Sequence, residues 1–274
     1  MDFKNHIAFN TESYPDILKY LEENGIKHNR GEIISYLDTL ESDPHWEGVS
    51  YFVKEYNLLC ITETVFSKEE LRSAEWLSVR SVWHYDYPQP EDDYREITFD
   101  GKMCPLCWGG LTQIDDFRFK RPPKWGKRHF CSTNWETGVL FLSGETRSLL
   151  ESENIPGITY RTVKNKRGTE IYLDIYQLVI ANILPEGIVS ELSPIKCKNV
   201  CDNCGRTRFV QHGRGQFTYH KEIFENVPEI VRSGEIFGEG GHNERLTFIS
   251  QRIYRMITES KMDKSLEFQP ICLI

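Results

Sequence analysis

No stretch of this 274-residue chain comes near the roughly 20 consecutive apolar residues that cross a bilayer. Its start, MDFKNHIAFNTESYPD, has neither the basic n-region nor the apolar h-region of a secretory signal. A cytoplasmic protein without a membrane partner is the expectation. Catalytic signatures are missing too. There is no Gly-x-Ser-x-Gly elbow and no His-Glu-x-x-His run, and neither His220 nor His242 has such a companion. The glycine-rich stretch from Gly234 to His242 lacks the Gly-Lys-Ser/Thr ending of a phosphate loop and carries Glu235 and Glu239. The chain is therefore expected not to be an enzyme. It also lacks an excess of positive charge: the formal net charge is −8 and the pI about 5.6, far from a typical nucleic-acid-binding domain.

Two Cys-x-x-Cys pairs stand out against these absences: Cys104-Pro-Leu-Cys107 and Cys201-Asp-Asn-Cys204, the second followed by Gly205. Thiolates two residues apart can grip one tetrahedral Zn²⁺ from a tight turn, and two such pairs fill its four positions. Gly205 can take the positive φ that a knuckle needs, whereas Trp108 stands at the equivalent place in the first pair. The expectation is one structural Zn²⁺ held by Cys104, Cys107, Cys201 and Cys204, stapling distant parts of the chain. A four-Cys site leaves no open metal position, which argues against a zinc hydrolase. Cys197 is close enough in sequence to substitute for a ligand. Cys60, Cys131 and Cys272 read as buried small hydrophobes of a reducing compartment.

The acidity is segregated. Residues 1–66 carry twelve Asp/Glu and five Lys/Arg, a net of −7, and the remaining 208 residues carry 29 and 28. That first segment is expected to be a mostly helical acidic unit. Helices are predicted around Ile17, Leu18 and Leu21 (capped by Thr11 or Ser13), over 32–37 and over 49–53, followed by a buried strand over 57–66. Ser67-Lys68-Glu69-Glu70 forms a capping box, in which hydroxyl and carboxylate satisfy two orphan amides reciprocally. After the Pro-containing linker 87–93, knuckle, strand ending in Phe-x-Ser, helix and strand recur, with Ser143 and Ser250 as N-caps. The predicted fold is α+β: a helical N-terminal unit (1–66), then a double Cys-x-x-Cys domain (67–274). Its pseudo-repeated α+β halves, about 95–185 and 186–274, share the four-Cys zinc site.

One segment offers a competing function. Arg118, Lys120, Arg121, Lys124, Lys127 and Arg128 interleave with Phe119 and Trp125, the pairing of phosphate attraction with base stacking used on single strands. Lys196, Lys198, Arg206 and Arg208 can extend that patch. The alternative function is thus a zinc-stabilised nucleic-acid-binding or regulatory protein.

The phrases Tyr87-Pro88-Gln89-Pro90, Cys104-x-x-Cys107, Phe117 to Lys120, Pro123 to Lys127, Cys201-x-x-Cys204-Gly205 and Phe248 to Arg252 make residues 66–274 resemble the bacterial double-CXXCG proteins. More loosely, they resemble the related immunity proteins of polymorphic toxin systems. The chain departs from that pattern at Trp108, where the motif has Gly. The resemblance implies a cytoplasmic, non-enzymatic immunity protein that neutralises a cognate toxin by binding it. Glu22, Glu23, Asp38, Glu41 and Asp43 of the acidic unit are the expected contacts for a basic toxin.

Overall fold

The computed structural model describes all 274 residues. They form two compact units, Met1–Glu70 with the loop His212–Gln216, and Leu71–Gln211 with Phe217–Ile274.

The N-terminal unit runs β1 (Asp2–Asn10), α1 (Pro15–Glu23), β2 (Ile34–Leu40), α2 (Trp46–Glu55) and β3 (Leu59–Val65). Its three strands form an antiparallel sheet, β2-β1-β3, with Ile7 opposite both Leu37 and Cys60. Alternation puts Asn5, Ile7 and Phe9 on one face, where Ile17, Leu18 and Leu21 of α1 and Val49 of α2 close the core. Asn5 is tolerated there because its Oδ1 accepts from Thr62 Oγ1 at 2.6 Å.

This corrects the expected helical unit, because a sheet is its centre. The segment 32–37 reads as helix because Ile33, Ile34, Tyr36 and Leu37 cluster at near-helical spacing. In the fold Leu37 is buried between Ser35 and Thr39, and Ile34 and Tyr36 point to solvent from the opposite face of β2. β1 escapes a pattern search because Asn5 and His6 interrupt its apolar alternation. β3 is a strand but not a buried one, since Leu59 and Ile61 are exposed. α1 and α2 form where expected; Tyr14, without a side-chain cap bond, takes the position assigned to Thr11 or Ser13.

The capping box is present: Ser67 N–H donates to Glu70 Oε2 at 2.8 Å and Glu70 N–H to Ser67 Oγ at 3.2 Å. It opens the short α3 (Lys68–Ser73), which leads to β4 (Trp76–Ser81), α4 (Tyr94–Thr98), β5 (Arg118–Phe119), β6 (Phe130–Cys131) and β7 (Phe141–Leu142). Next come α5 (Gly144–Ser152), β8 (Ile158–Asn165), β9 (Ile171–Ile180), β10 (Ile195–Val200) and β11 (Thr207–Gln211). The chain ends with β12 (Thr218–Tyr219), β13 (Ile230–Arg232), β14 (Thr247–Ser250), α6 (Gln251–Glu259), β15 (Leu266–Pro270) and β16 (Cys272–Leu273). Two sheets dominate the larger unit, β13-β14-β4-β15 and β5-β8-β9-β7-β6.

The repeated order is present locally, but the two halves are interlocked. β7-α5-β8 flanks β9 on both sides, and β14-α6-β15 flanks β4 in the same way. β4 precedes residue 95, so the segment 186–274 cannot complete its own sheet. Leu77 of β4, Leu142, Leu150, Leu178, Ile249, Ile253 and Ile257 belong to one core, which replaces two separately packed halves.

Ser143 and Ser250 accept from the backbone N–H groups of Thr146 and Ile253 at 3.3 and 3.4 Å. Replacing either by Ala is expected to cost about 1 kcal/mol in urea unfolding, whereas Gly should cost only a few tenths. Equal losses for Ala and Gly would instead point to packing as the role of these serines.

Candidate metal centre

The first knuckle is the tip of a loop between α4 and β5, closed by a bridge between Phe99 and Gln113. The second is the tip of the antiparallel β10–β11 ribbon. Their backbones match bond for bond. Cys104 N–H donates to Gly109 O at 3.0 Å and Trp108 N–H to Cys104 O at 2.8 Å. Cys201 N–H donates to Arg206 O at 3.0 Å and Gly205 N–H to Cys201 O at 2.8 Å. Trp108 and Gly205 have φ of 59° and 68°, so the tryptophan adopts the left-handed conformation that glycine supplies elsewhere. That conformation costs about 1–2 kcal/mol in a residue with a Cβ. Contacts of the indole offset it: the Arg95 guanidinium lies 4.8 Å from its ring centroid, and its edge fills the space where Gly241 lacks a side chain.

The four sulfurs lie within 4.8 Å of one another, with Cys104 and Cys201 at 3.7 Å and Cys107 and Cys204 at 3.6 Å. A disulfide needs about 2.05 Å, so these are free thiols. Four sulfurs about 2.3 Å from a central ion sit about 3.8 Å apart along a tetrahedron's edges. The cluster is therefore able to hold a metal ion.

Electrostatics support that reading. The Cys107 amide and the Asn203 side chain, 3.3 Å from its sulfur, draw Cys104 down to about 6. The Arg206 amide favours the Cys204 thiolate, but burial and the neighbouring cysteines prevail and push it up to about 11. Four thiols this close cannot all ionise unless a cation sits among them. Arg206 Nη1 adds partial compensation, 3.7 Å from Cys107 Sγ and 3.6 Å from Cys204 Sγ. Asn243 Nδ2 donates to Cys107 O at 2.6 Å and ties the first knuckle to a third loop. Cys104, Cys107 and Cys201 form a small cluster without another buried apolar residue, so an ion would supply much of the local cohesion.

The other sequence candidates are dispersed. Cys197 is exposed and outside the tetrad, and Cys60 and Cys272 are only partly buried. Cys131 is buried and its thiol pushed far up by that burial, which makes it inert. In the basic stretch, Arg118 pairs with Asp115 and Lys120 with Glu91; Arg121, Lys124, Lys127 and Arg128 remain exposed. Phe119 is core, and Trp125 Nε1 donates to Asp174 O at 2.8 Å, so neither ring is a free stacking platform. Nη1 of Arg206 is committed to the sulfurs, and Arg208 donates to Gly240 O.

The acidic five do not gather on one face. Glu22 and Glu23 lie on α1, Asp38 on the helix-free face of the sheet, and Asp43 accepts from the His45 amide. Glu41 pairs with Arg214 within the N-terminal unit. Sequence reasoning missed the roles of Arg206, Asn203 and Asn243 around the sulfurs. The first two were legible in principle, being within or beside a knuckle; Asn243 carries no sequence signal.

No helix of the chain is long and apolar enough to cross a membrane. Compared with protein-family models and with the curated proteins, the chain matches none.

Metal analysis of Cys107→Ser and Cys201→Ser is expected to show loss of the ion, with faster amide exchange across 100–111 and 197–206. Trp108→Gly should retain the metal, because it keeps the backbone bonds and relieves the left-handed strain. Loss of metal from Trp108→Gly would mean that the indole, not the backbone, shapes the knuckle.

Proposed function

We propose that the tetrad holds a structural Zn²⁺ and that the chain is a non-enzymatic binding protein. Its N-terminal sheet would engage a basic protein partner, and the resemblance to immunity proteins makes that partner a cognate toxin. Zinc is favoured by the all-thiolate donor set and tetrahedral spacing, and four protein ligands leave it no open position for chemistry.

The observation that carries the binding role is the uncovered face of the β2-β1-β3 sheet. Both helices of that unit pack on the other side. Tyr36, Ala8 and Leu59 form one cross-strand row, and Asp38, His6 and Ile61 the next. Ile34, Leu59 and Ile61 are 58, 64 and 57% exposed. A sheet is normally covered on its apolar face, and a contiguous exposed apolar patch marks an interaction site. A polar strip crosses it, with Lys4 3.3 Å from both Asp38 and Glu63, and His6 2.7 Å from Asp38. Apolar anchors within a segment of net charge −7 suit a partner that is basic and carries its own apolar contacts.

The test is co-expression with toxin candidates encoded beside the gene. Wild type should rescue growth. Leu59→Ser with Ile61→Ser should rescue poorly and dissociate at least about tenfold faster, with a melting temperature close to wild type, since both residues are exposed. Reversal of Asp38 to Lys should chiefly slow association. Full protection by the double variant would remove this face as the contact, and failure of wild type against every candidate would remove the immunity role.

A further inference from the structure

Beside the tetrad, wholly inside the larger unit, lies a cavity of about 350 Å³. Arg95, Arg206, Arg232 and Arg245 line it, with His242, against two acidic residues, Glu136 and Glu244. The carboxylates are already engaged. Glu136 accepts from the Tyr94 hydroxyl at 2.7 Å with Arg95 3.9 Å away, and Glu244 accepts from Thr137 Oγ1 at 3.0 Å and pairs with His242 at 3.4 Å. Arg206, Arg232 and Arg245 form no ion pair with any carboxylate. Each spends a nitrogen on the protein: Arg206 on the sulfurs, Arg232 on Gly138 O at 2.9 Å, Arg245 on Ser233 O at 2.8 Å. A guanidinium has five N–H donors, so each retains others for a ligand.

Cations in a confined space are costly: burial holds Arg232 below the usual guanidinium range, at about 10, with Glu244 opposing that shift, and burial lowers Arg245 against the opposing pull of Glu235 and Glu186. A phosphate monoester approaches two negative charges at neutral pH, which suits a lining of four arginines and His242 against two carboxylates. Three forked donors on separate segments suit the three terminal oxygens of a phosphate better than the two coplanar oxygens of a carboxylate. A wider mouth of about 610 Å³ shares Arg95, Trp108, Trp135 and His242 with the cavity and is also bordered by Glu91, Asp92 and Glu239. Trp135 is 41% exposed, which leaves indole surface available to an organic group.

We propose that this cavity binds a small phosphate monoester, with its phosphate on Arg206, Arg232 and Arg245 and its organic part in the mouth beside Trp135. The inference is independent of the partner bound by the N-terminal sheet.

The test uses the full chain with its metal bound, titrated with phenyl phosphate, inorganic phosphate and malonate by calorimetry and thermal shift. Both phosphates should bind and raise the melting temperature with concentration, and malonate should be weaker. Arg232→Met should weaken both phosphates about tenfold or more, with metal content unchanged. Trp135→Ala should weaken phenyl phosphate and spare inorganic phosphate. Should Arg232→Met fail to fold, Arg232→Lys, which keeps the charge and loses the fork, must weaken binding in its place. Absence of a thermal shift with either phosphate, or wild-type affinity in the Arg232 variant, would overturn the proposal and leave these arginines as counter-charges to the thiolates. Equal loss of both phosphates in Trp135→Ala would overturn the assignment of the mouth.

Discussion

The antiparallel pairing of β4 with β14 on one side and β15 on the other is the constraint on which the larger unit rests, because it sets Leu77 opposite both Ile249 and Pro270. Closing the long loop between β4 and β14 costs entropy before any contact rewards it, though the cost grows only slowly with length. The reward is a core in which Leu77 is fully buried against α6 and shares its cluster with side chains from α5 and β9. Once β4 is in place, the two strand–helix–strand motifs have one interior between them, and neither can be removed without exposing the other.

The metal centre depends on a different balance. Its knuckles carry little apolar surface, with Leu106 and Val200 exposed, so packing alone holds the two loop tips weakly. Sulfur–sulfur proximity is unfavourable for four ionised thiols and favourable once a divalent cation is among them. That sign change would make an ion there a structural element. The left-handed tryptophan keeps the backbone pattern of the knuckle, with its two amide bonds, that Gly205 gives in the other. Arg206 and Asn203 then act on sulfur charge, while Asn243 acts on the position of the loop.

Two surfaces of opposite character lie in the two units. The N-terminal sheet presents apolar side chains where a half-covered antiparallel sheet would ordinarily be polar, and its segment is acidic. The larger unit gathers Arg95, Arg206, Arg232 and Arg245 around one cavity. As proposed above, the first would have the chemistry of a protein contact and the second that of a small-anion site. The basic stretch 118–128 has neither, because its aromatic rings are spent on the core and on a backbone carbonyl.

What could be read from the chain alone was whatever depends on neighbours within about five residues. The cysteine pairs, the capping box at Ser67, the caps at Ser143 and Ser250 and the helix α1 are local devices, and the hydrogen bonds that define them span three to five positions. Tertiary structure decided the rest. Whether the segment 34–40 is helix or strand depends on β1, which pairs with it from some thirty residues upstream, and a strand with apolar residues on both faces carries no period to reveal that. The gathering of the four sulfurs, the sharing of one core by α5 and α6, and the meeting of Arg95, Arg206, Arg232 and Arg245 around one cavity join residues about a hundred or more positions apart. No local pattern encodes such contacts, because their free energy exists only once the intervening chain has folded.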